Sequence, residues 1–176
     1  MRSPSPLTAD ADIRDALRSY LSVQYENEPD TVIFEELGIC RGRVRIDVAA
    51  VNGLLHGYEI KSDRDTLRRL SDQVDFYSRV LDRATLVAGR SHLSKAAELV
   101  PDWWEVLLVT SDDCRLSFKA VREGRLNPSR DARSLVEFMW LGDAMNLLEG
   151  RGLARGARGK AQTLRLGQDL RASRLR

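Results

Sequence analysis

The spacing of apolar positions changes several times along this chain, and each change marks an element. Between Asp10 and Gln24, the residues Ile13, Leu17, Tyr20, Leu21 and Gln24 fall on one helical face with acids in the first turn, which predicts an amphipathic helix. Thr31-Val32-Ile33-Phe34 is a β-branched and aromatic run that predicts a strand, and Gly38 and Gly42 punctuate a turn after it. Val44 to Val51 and Leu54 to Lys61 read as two more strands joined by Asn52-Gly53, a strong hairpin signal. Beyond Lys61 the period becomes helical through Leu67, Leu70, Val74, Tyr77 and Leu81, with Ser62 and Asp63 as candidate caps. Ala84 to Ala88 is a fourth strand, Ser91 to Val100 a helix closed by Pro101, and Trp104 to Thr110 a fifth strand. Cys114 to Val121 reads as a sixth, linked through Ser111-Asp112-Asp113. A loop with Asn127-Pro128 then leads to a helix near Ser134 to Leu148 and a basic remainder. This order predicts an α/β domain with a mixed central sheet. It divides the chain into a flexible leader (1–9), the domain (10–125) and a helical, basic C-terminal extension (126–176).

Composition narrows the class. A chain of 176 residues, 43% hydrophobic and 31% charged, suits one ordinary globular domain with a real core. The longest apolar runs, such as Val106-Leu107-Leu108-Val109, are too short for a membrane span, so no membrane partner is expected. Met1-Arg2-Ser3-Pro4 leads into no secretory h-region, which makes the cytoplasm the expected compartment. Cys40 and Cys114 lack partners at zinc-ligand spacing, which argues against a disulfide framework or structural zinc. The net charge of +2 conceals an asymmetry: residues 151–176 carry eight bases against Asp169 alone, while the first 150 residues hold 20 bases and 25 acids. A basic segment on an acidic body points to a polyanion partner, most simply nucleic acid. No Gly-rich phosphate cradle accompanies it, so ATP coupling within the chain is not expected. Oligomeric state is open, with a homodimer or a larger assembly both compatible.

The chemistry lies on the two hairpin strands. Side chains alternate along a strand, so Glu59 and Lys61 share one face opposite Tyr58 and Ile60. On the preceding strand Arg45, Asp47 and Ala49 share a face. Charges among apolar neighbours need a partner, and a divalent cation held by two carboxylates, Mg²⁺ or Mn²⁺, is one solution. An ammonium beside it can orient a metal-bound water. The chain uses four Lys against 24 Arg, so Lys61 departs from its habit and favours a compact point charge. The plainer reading is a strand ion pair of Asp47 with Lys61.

Strand parity makes a shared site conditional. With a two-residue Asn52-Gly53 turn, Asp47 would oppose Tyr58 and face away from Glu59. An odd loop such as Val51-Asn52-Gly53 with a Gly53 bulge, or a bulge within a strand, is therefore expected.

Arg45-Ile46-Asp47, the hairpin, Gly57-Tyr58-Glu59-Ile60-Lys61-Ser62 and then Gln73-Val74-Asp75-Phe76-Tyr77 together resemble the PD-(D/E)XK nuclease superfamily and its RecB-like branch. The stretch from Glu36-Leu37-Gly38 through Asp65-Thr66-Leu67 resembles a group of small bacterial proteins within it. The resemblance covers about residues 10–110 and departs from the name-giving motif in having Ile46 before the Asp. It implies a restriction-endonuclease-like core of helix, three antiparallel strands, helix and strand. It also implies Mg²⁺ or Mn²⁺ on Asp47, Glu59 and an upstream acid, with Lys61 activating water. Simple parity leans to Glu35 for that acid, whereas the resemblance aligns with Glu36, the choice adopted. Gln73 and Tyr77, four apart on one helical face, would brace the site or touch substrate.

The function expected from the resemblance is a metal-dependent nuclease, an endonuclease acting on DNA in repair or in defence against foreign DNA. The alternative is a non-catalytic nucleic-acid-binding module on the same fold. His56 and His92 read as structural or surface groups, His56 facing away from Glu59, and Trp103 and Trp104 read as packing. Asp63, Arg64, Arg68 and Arg69 read as solvated helix charges close enough to the site to meet a phosphate backbone.

Overall fold

The computed structural model describes residues 9–39, 42–112, 115–131 and 134. Within them the elements run α1 (Asp10–Gln24), β1 (Val32–Ile39), β2 (Val44–Val51), β3 (Leu55–Lys61), α2 (Leu70–Val80), β4 (Arg83–Ala88), α3 (Leu93–Leu99), β5 (Glu105–Asp112) and β6 (Arg115–Arg122). The strands form one six-stranded mixed sheet in sequential order, β3, β4 and β5 running parallel and the other neighbours antiparallel. Residues 1–8 of the leader, Cys40, Cys114 and the expected helix from Ser134 to Leu148 with its basic remainder lie outside the described residues, save Ser134 itself.

Two apolar clusters sandwich the sheet. On one face Ile13, Leu17 and Leu21 of α1 bury against Val48, Ala50, Tyr58, Ile60, Val87, Leu107 and Val109. The spacing of 4 between those helix residues supplies the apolar stripe, and full burial of each leucine or isoleucine contributes about 1.5–3 kcal/mol. On the other face Leu70, Val74 and Tyr77 of α2, with Ala96 of α3, pack on Ile46, Ala49, Leu86 and Trp104. Trp103 and Trp104 are buried, as their position beside a strand suggested. Among the described residues no helix is long and apolar enough to cross a membrane.

Two boundaries differ from expectation for local reasons. β1 runs on to Ile39 because the exposed acid Glu35 continues the ladder against Val48. The helical spacing from Leu67 onward begins as helix only at Leu70, where the N-cap residue is Arg69 and not Ser62 or Asp63. Ser62 donates through its backbone N–H and its hydroxyl to Asp65, while Asp63 accepts from the backbone and hydroxyl of Ser91. These side-chain bonds satisfy the loop backbone locally and compete with helix formation.

The hairpin loop is odd, as the parity argument required. Val51 pairs with Leu55, leaving the three-residue loop Asn52-Gly53-Leu54, shifted by one from the expected Val51-Asn52-Gly53. Gly53 takes φ 88°, a conformation a residue with a Cβ adopts only under strain. Asp47 and Glu59 consequently come to the same side of the sheet.

Candidate functional site

β1 and β2 turn over in the middle. Ile33 and Val48 pack with α1, yet Leu37 and Ile46, of the same parity, pack with α2. The turnover falls at Glu36 and Asp47, which are missing from an otherwise continuous register, and Glu36 sits at φ 54°. A left-handed residue rotates the strand and frees backbone groups that then need other partners. Arg14 of α1 supplies one. Its guanidinium donates to the Asp47 carbonyl at 3.1 Å, to Glu36 Oε1 at 2.8 Å and to Asp10 Oδ2 at 2.9 Å, and lies 3.7 Å from Asp47 Oδ1. On the β3 side the paired ladder ends at Val48, and Asp47 Oδ2 continues it by accepting the Ile60 N–H at 2.8 Å.

Glu59 is fully buried, and both of its oxygens are engaged. Oε1 is paired with Lys61 Nζ, its neighbour two residues along the same face. Oε2 lies 2.5 Å from the Tyr77 hydroxyl, which is also 2.9 Å from the Arg45 carbonyl. Burial pushes the Tyr77 phenol well above its ordinary range, and the Glu59 carboxylate pushes it further, so Tyr77 acts as a donor. Asp47, Glu59, Lys61 and Tyr77 are thus brought together, but the ion pair is Glu59 with Lys61, and the cation beside Asp47 is Arg14. Gln73 lines a cleft with Asp47, and its Oε1 is buried without a hydrogen-bond partner. Glu36 is ion-paired to Arg14 and Arg45, and Glu35 to Arg18 on the other face.

These residues do not fit the expected Mg²⁺ or Mn²⁺ ion in this arrangement. Both oxygens of Glu59, both of Glu36 and Oδ2 of Asp47 already meet donors from the chain itself. Among the described residues no group of three His, Cys, Asp or Glu side chains is placed to hold a metal. The geometry describes a self-neutralising network that fastens α1 and α2 to the turned-over strands. Arg14 is the member that sequence reading missed. Its pairing with Asp10 at i, i+4 is legible in the sequence, but its contacts with Glu36 and Asp47 are tertiary.

Burial, and then the neighbouring Glu59, push the Asp47 carboxyl from 3.8 to about 7, against the pull of Ile60, Lys61 and Arg14. The folded chain therefore holds a proton in a range where the unfolded chain has released it. That contribution to stability is complete below pH 3.8 and is lost as pH rises through 7. His56 works in the opposite sense. Burial, then Arg83, lower it from 6.5 to about 4, so its contribution is present above 6.5 and lost as pH falls through 4. Comparing the protein with Asp47→Asn by urea unfolding from pH 4 to 8 separates the two. The stability advantage of the native chain over the variant is expected to shrink as pH rises; parallel curves would mean that Asp47 is ionised throughout.

A second arrangement occupies the other end of the parallel strands. His56 faces away from Glu59, as expected, and is held between the Thr85 hydroxyl at 2.7 Å and the Tyr58 hydroxyl at 3.1 Å. Thr85 gives its one proton to Glu105 at 2.7 Å, so His56 donates from Nε2 and accepts at Nδ1.

The cleft beside Asp47 has a volume of about 480 Å³ and is walled by Arg43, Arg45, Arg69, Asp72, Gln73 and Phe76. Arg43 and Arg69 are exposed and form no ion pair among the described residues.

Comparison with known proteins corrects the family assignment. The family model described as Bacteriophage P4 protein cII matches residues 5–176. Protein cII of Enterobacteria phage P4 is 29% identical over 113 residues, which are 64% of this chain. The chain spans 41% of that relative's length. No solved structure matches it. These matches overturn the resemblance to the PD-(D/E)XK superfamily, and with it the expected nuclease activity, the enzyme assignment and the roles in DNA repair or defence. In this chain Glu59 and Lys61 bond to each other, and Asp47 accepts the Ile60 N–H beside Arg14.

Proposed function

The chain belongs to the bacteriophage P4 protein cII family, and we propose that it is a non-enzymatic protein that binds nucleic acid through the arginine cleft beside Asp47. The observation that carries this reading is the convergence of Arg43, Arg45 and Arg69 on one concave polar surface. Guanidinium groups match phosphate oxygens bidentately and stay charged at any working pH. Arg45 is oriented by Glu36 at 2.8 Å, which leaves the exposed Arg43 and Arg69 as the groups with most to gain from a phosphate. Arg64 and Arg68, exposed in the loop before α2, extend the basic rim. Residues 151–176, with eight bases and one acid, add a sequence-independent attraction to the same polyanion. Mg²⁺ and Mn²⁺ enter this proposal only as counter-ions that compete for phosphates.

The test is fluorescence anisotropy with labelled duplex and single-stranded DNA across a salt series, without divalent ions. Arg43→Ala with Arg69→Ala is expected to weaken binding at least tenfold. For every duplex phosphate that the variant no longer neutralises, the slope of log affinity against log salt should also become shallower by about 0.9. Unchanged affinity and slope in the double variant would remove the cleft from the interface. Absence of binding by the parent chain would reject the reading as a whole.

A further inference from the structure

The face of the sheet that carries α2 is incompletely covered at its β1 edge. Val32 and Phe34 of β1 and Leu54 of the hairpin loop are 50%, 42% and 38% exposed. Val32 and Phe34 have the parity opposite to Ile33, which packs under α1, so they point to the α2 side. They sit across from Val51 and Ala49 in register, beside the apolar cluster under α2 and in line with it.

The course of the chain after β6 leads toward them. Gly124 packs tightly on Glu105 of β5, and the Arg125 N–H bonds the Trp103 carbonyl at 2.8 Å. Asn127 then bonds the Asp82 carbonyl through its N–H and the Ser78 and Leu81 carbonyls through its amide, each at 2.8–2.9 Å, passing beneath the end of α2. Arg130 pairs with Asp82, whose other oxygen accepts the Leu55 N–H at 2.8 Å, and the Asp131 N–H bonds the Arg79 carbonyl at 2.8 Å. Ser134 is buried and bonded to Asp131. The segment therefore tracks from β5 past β4 to the end of β3, with β2 and β1 next in line. The sequence that follows, residues 135–148, is Leu-Val-Glu-Phe-Met-Trp-Leu-Gly-Asp-Ala-Met-Asn-Leu-Leu, ten of fourteen apolar and holding only two acids.

We propose that residues 135–148 of the same chain dock on the surface formed by Val32, Phe34, Val51 and Leu54. From the end of β3 the β1 strand is two strand spacings away, about 10 Å, and fourteen residues span about 21 Å even when helical. Burying the patch removes an apolar surface that would otherwise favour association through an open sheet edge.

Cross-linking in the full chain tests this. In a Cys40→Ser, Cys114→Ser background, Phe34→Cys is paired in turn with Phe138→Cys, Leu141→Cys and Met145→Cys, then oxidised and mapped by mass spectrometry. A disulfide within one chain at monomer mass, from at least one pair, is the expected result. Links only between chains at dimer mass would assign the surface to a second copy and overturn the proposal, as would no link from any pair. Equal linkage from Glu35→Cys, which faces α1, would also overturn it by showing the reaction to be unselective. As a second measurement, Phe138→Asp with Leu141→Asp in the full chain is expected to raise binding of an apolar-surface dye severalfold; unchanged dye binding contradicts docking.

Discussion

Lys61→Met is expected to destabilise the fold by about 3–5 kcal/mol, the range for leaving one member of a buried ion pair uncompensated. Glu59 bears the consequence. It has no solvent access, its Oε1 depends on the Lys61 ammonium, and the remaining donor, Tyr77, serves only Oε2. In a domain of this size the loss corresponds to roughly 6–20 °C in melting temperature. Adding Glu59→Gln to Lys61→Met should recover most of it, because a neutral amide still accepts from Tyr77 and no longer needs a cation. Thermal and urea unfolding of the two single variants and the double variant give the coupling energy directly. A Lys61→Met loss below about 1 kcal/mol would place the pair in the class of solvated surface bridges. The same packing accounts for lysine at a position where this chain would ordinarily use arginine. The residue at 61 is itself buried and must reach a partner two positions away on its own strand, so a compact ammonium suits it better than a planar fork.

The second large effect is expected at Gly57. A Cβ built there would stand 2.6 Å from Leu81 Cδ1 and 3.2 Å from Ile46 Cγ2, inside the cluster between the sheet and α2. Gly57→Ala should therefore lower stability by about 1–3 kcal/mol, the range for overpacking a close-packed core. Gly57→Ala combined with Leu81→Ala should lose less than the sum of the two single changes, since the shortened side chain removes the nearest clash. Additive losses in unfolding experiments would show that the cost at Gly57 comes from the strand backbone and not from Leu81. The position also explains why β3 can lie so close beneath the end of α2, where the chain turns into β4.

Much of this architecture is legible one residue type at a time. The spacing of Ile13, Leu17 and Leu21 specifies both the helix and the face it buries. The parity of Asp47 and Glu59 required an odd hairpin loop, and Val51 pairs with Leu55 accordingly. The helix start at Leu70 was not legible, because Ser62 and Asp63 bond to Asp65 and Ser91 instead of capping the expected turn. Nor was the fate of Glu36. A non-glycine residue at φ 54° carries no local signature, and its stabilisation comes from Arg14 and Arg45 on other elements.

The family misassignment has the same origin. Acids, a lysine and a Gln-x-x-x-Tyr spacing specify which side chains can share a face, since periodicity is a property of the backbone. They do not specify what those side chains meet. Asp47 and Glu59-Ile60-Lys61 do converge, with Tyr77 behind them, but the groups that decide their chemistry arrive from α1 and from the backbones of β2 and β3. By itself the sequence determined the elements, the buried faces and the gathering of charge around Asp47. Only the tertiary structure decided that Arg14 lies beside Asp47, that Lys61 pairs with Glu59 and that Arg43 and Arg69 face outward. Local spacing acts over a few bonds, whereas the pairing of charges depends on distances that the packing of distant elements sets.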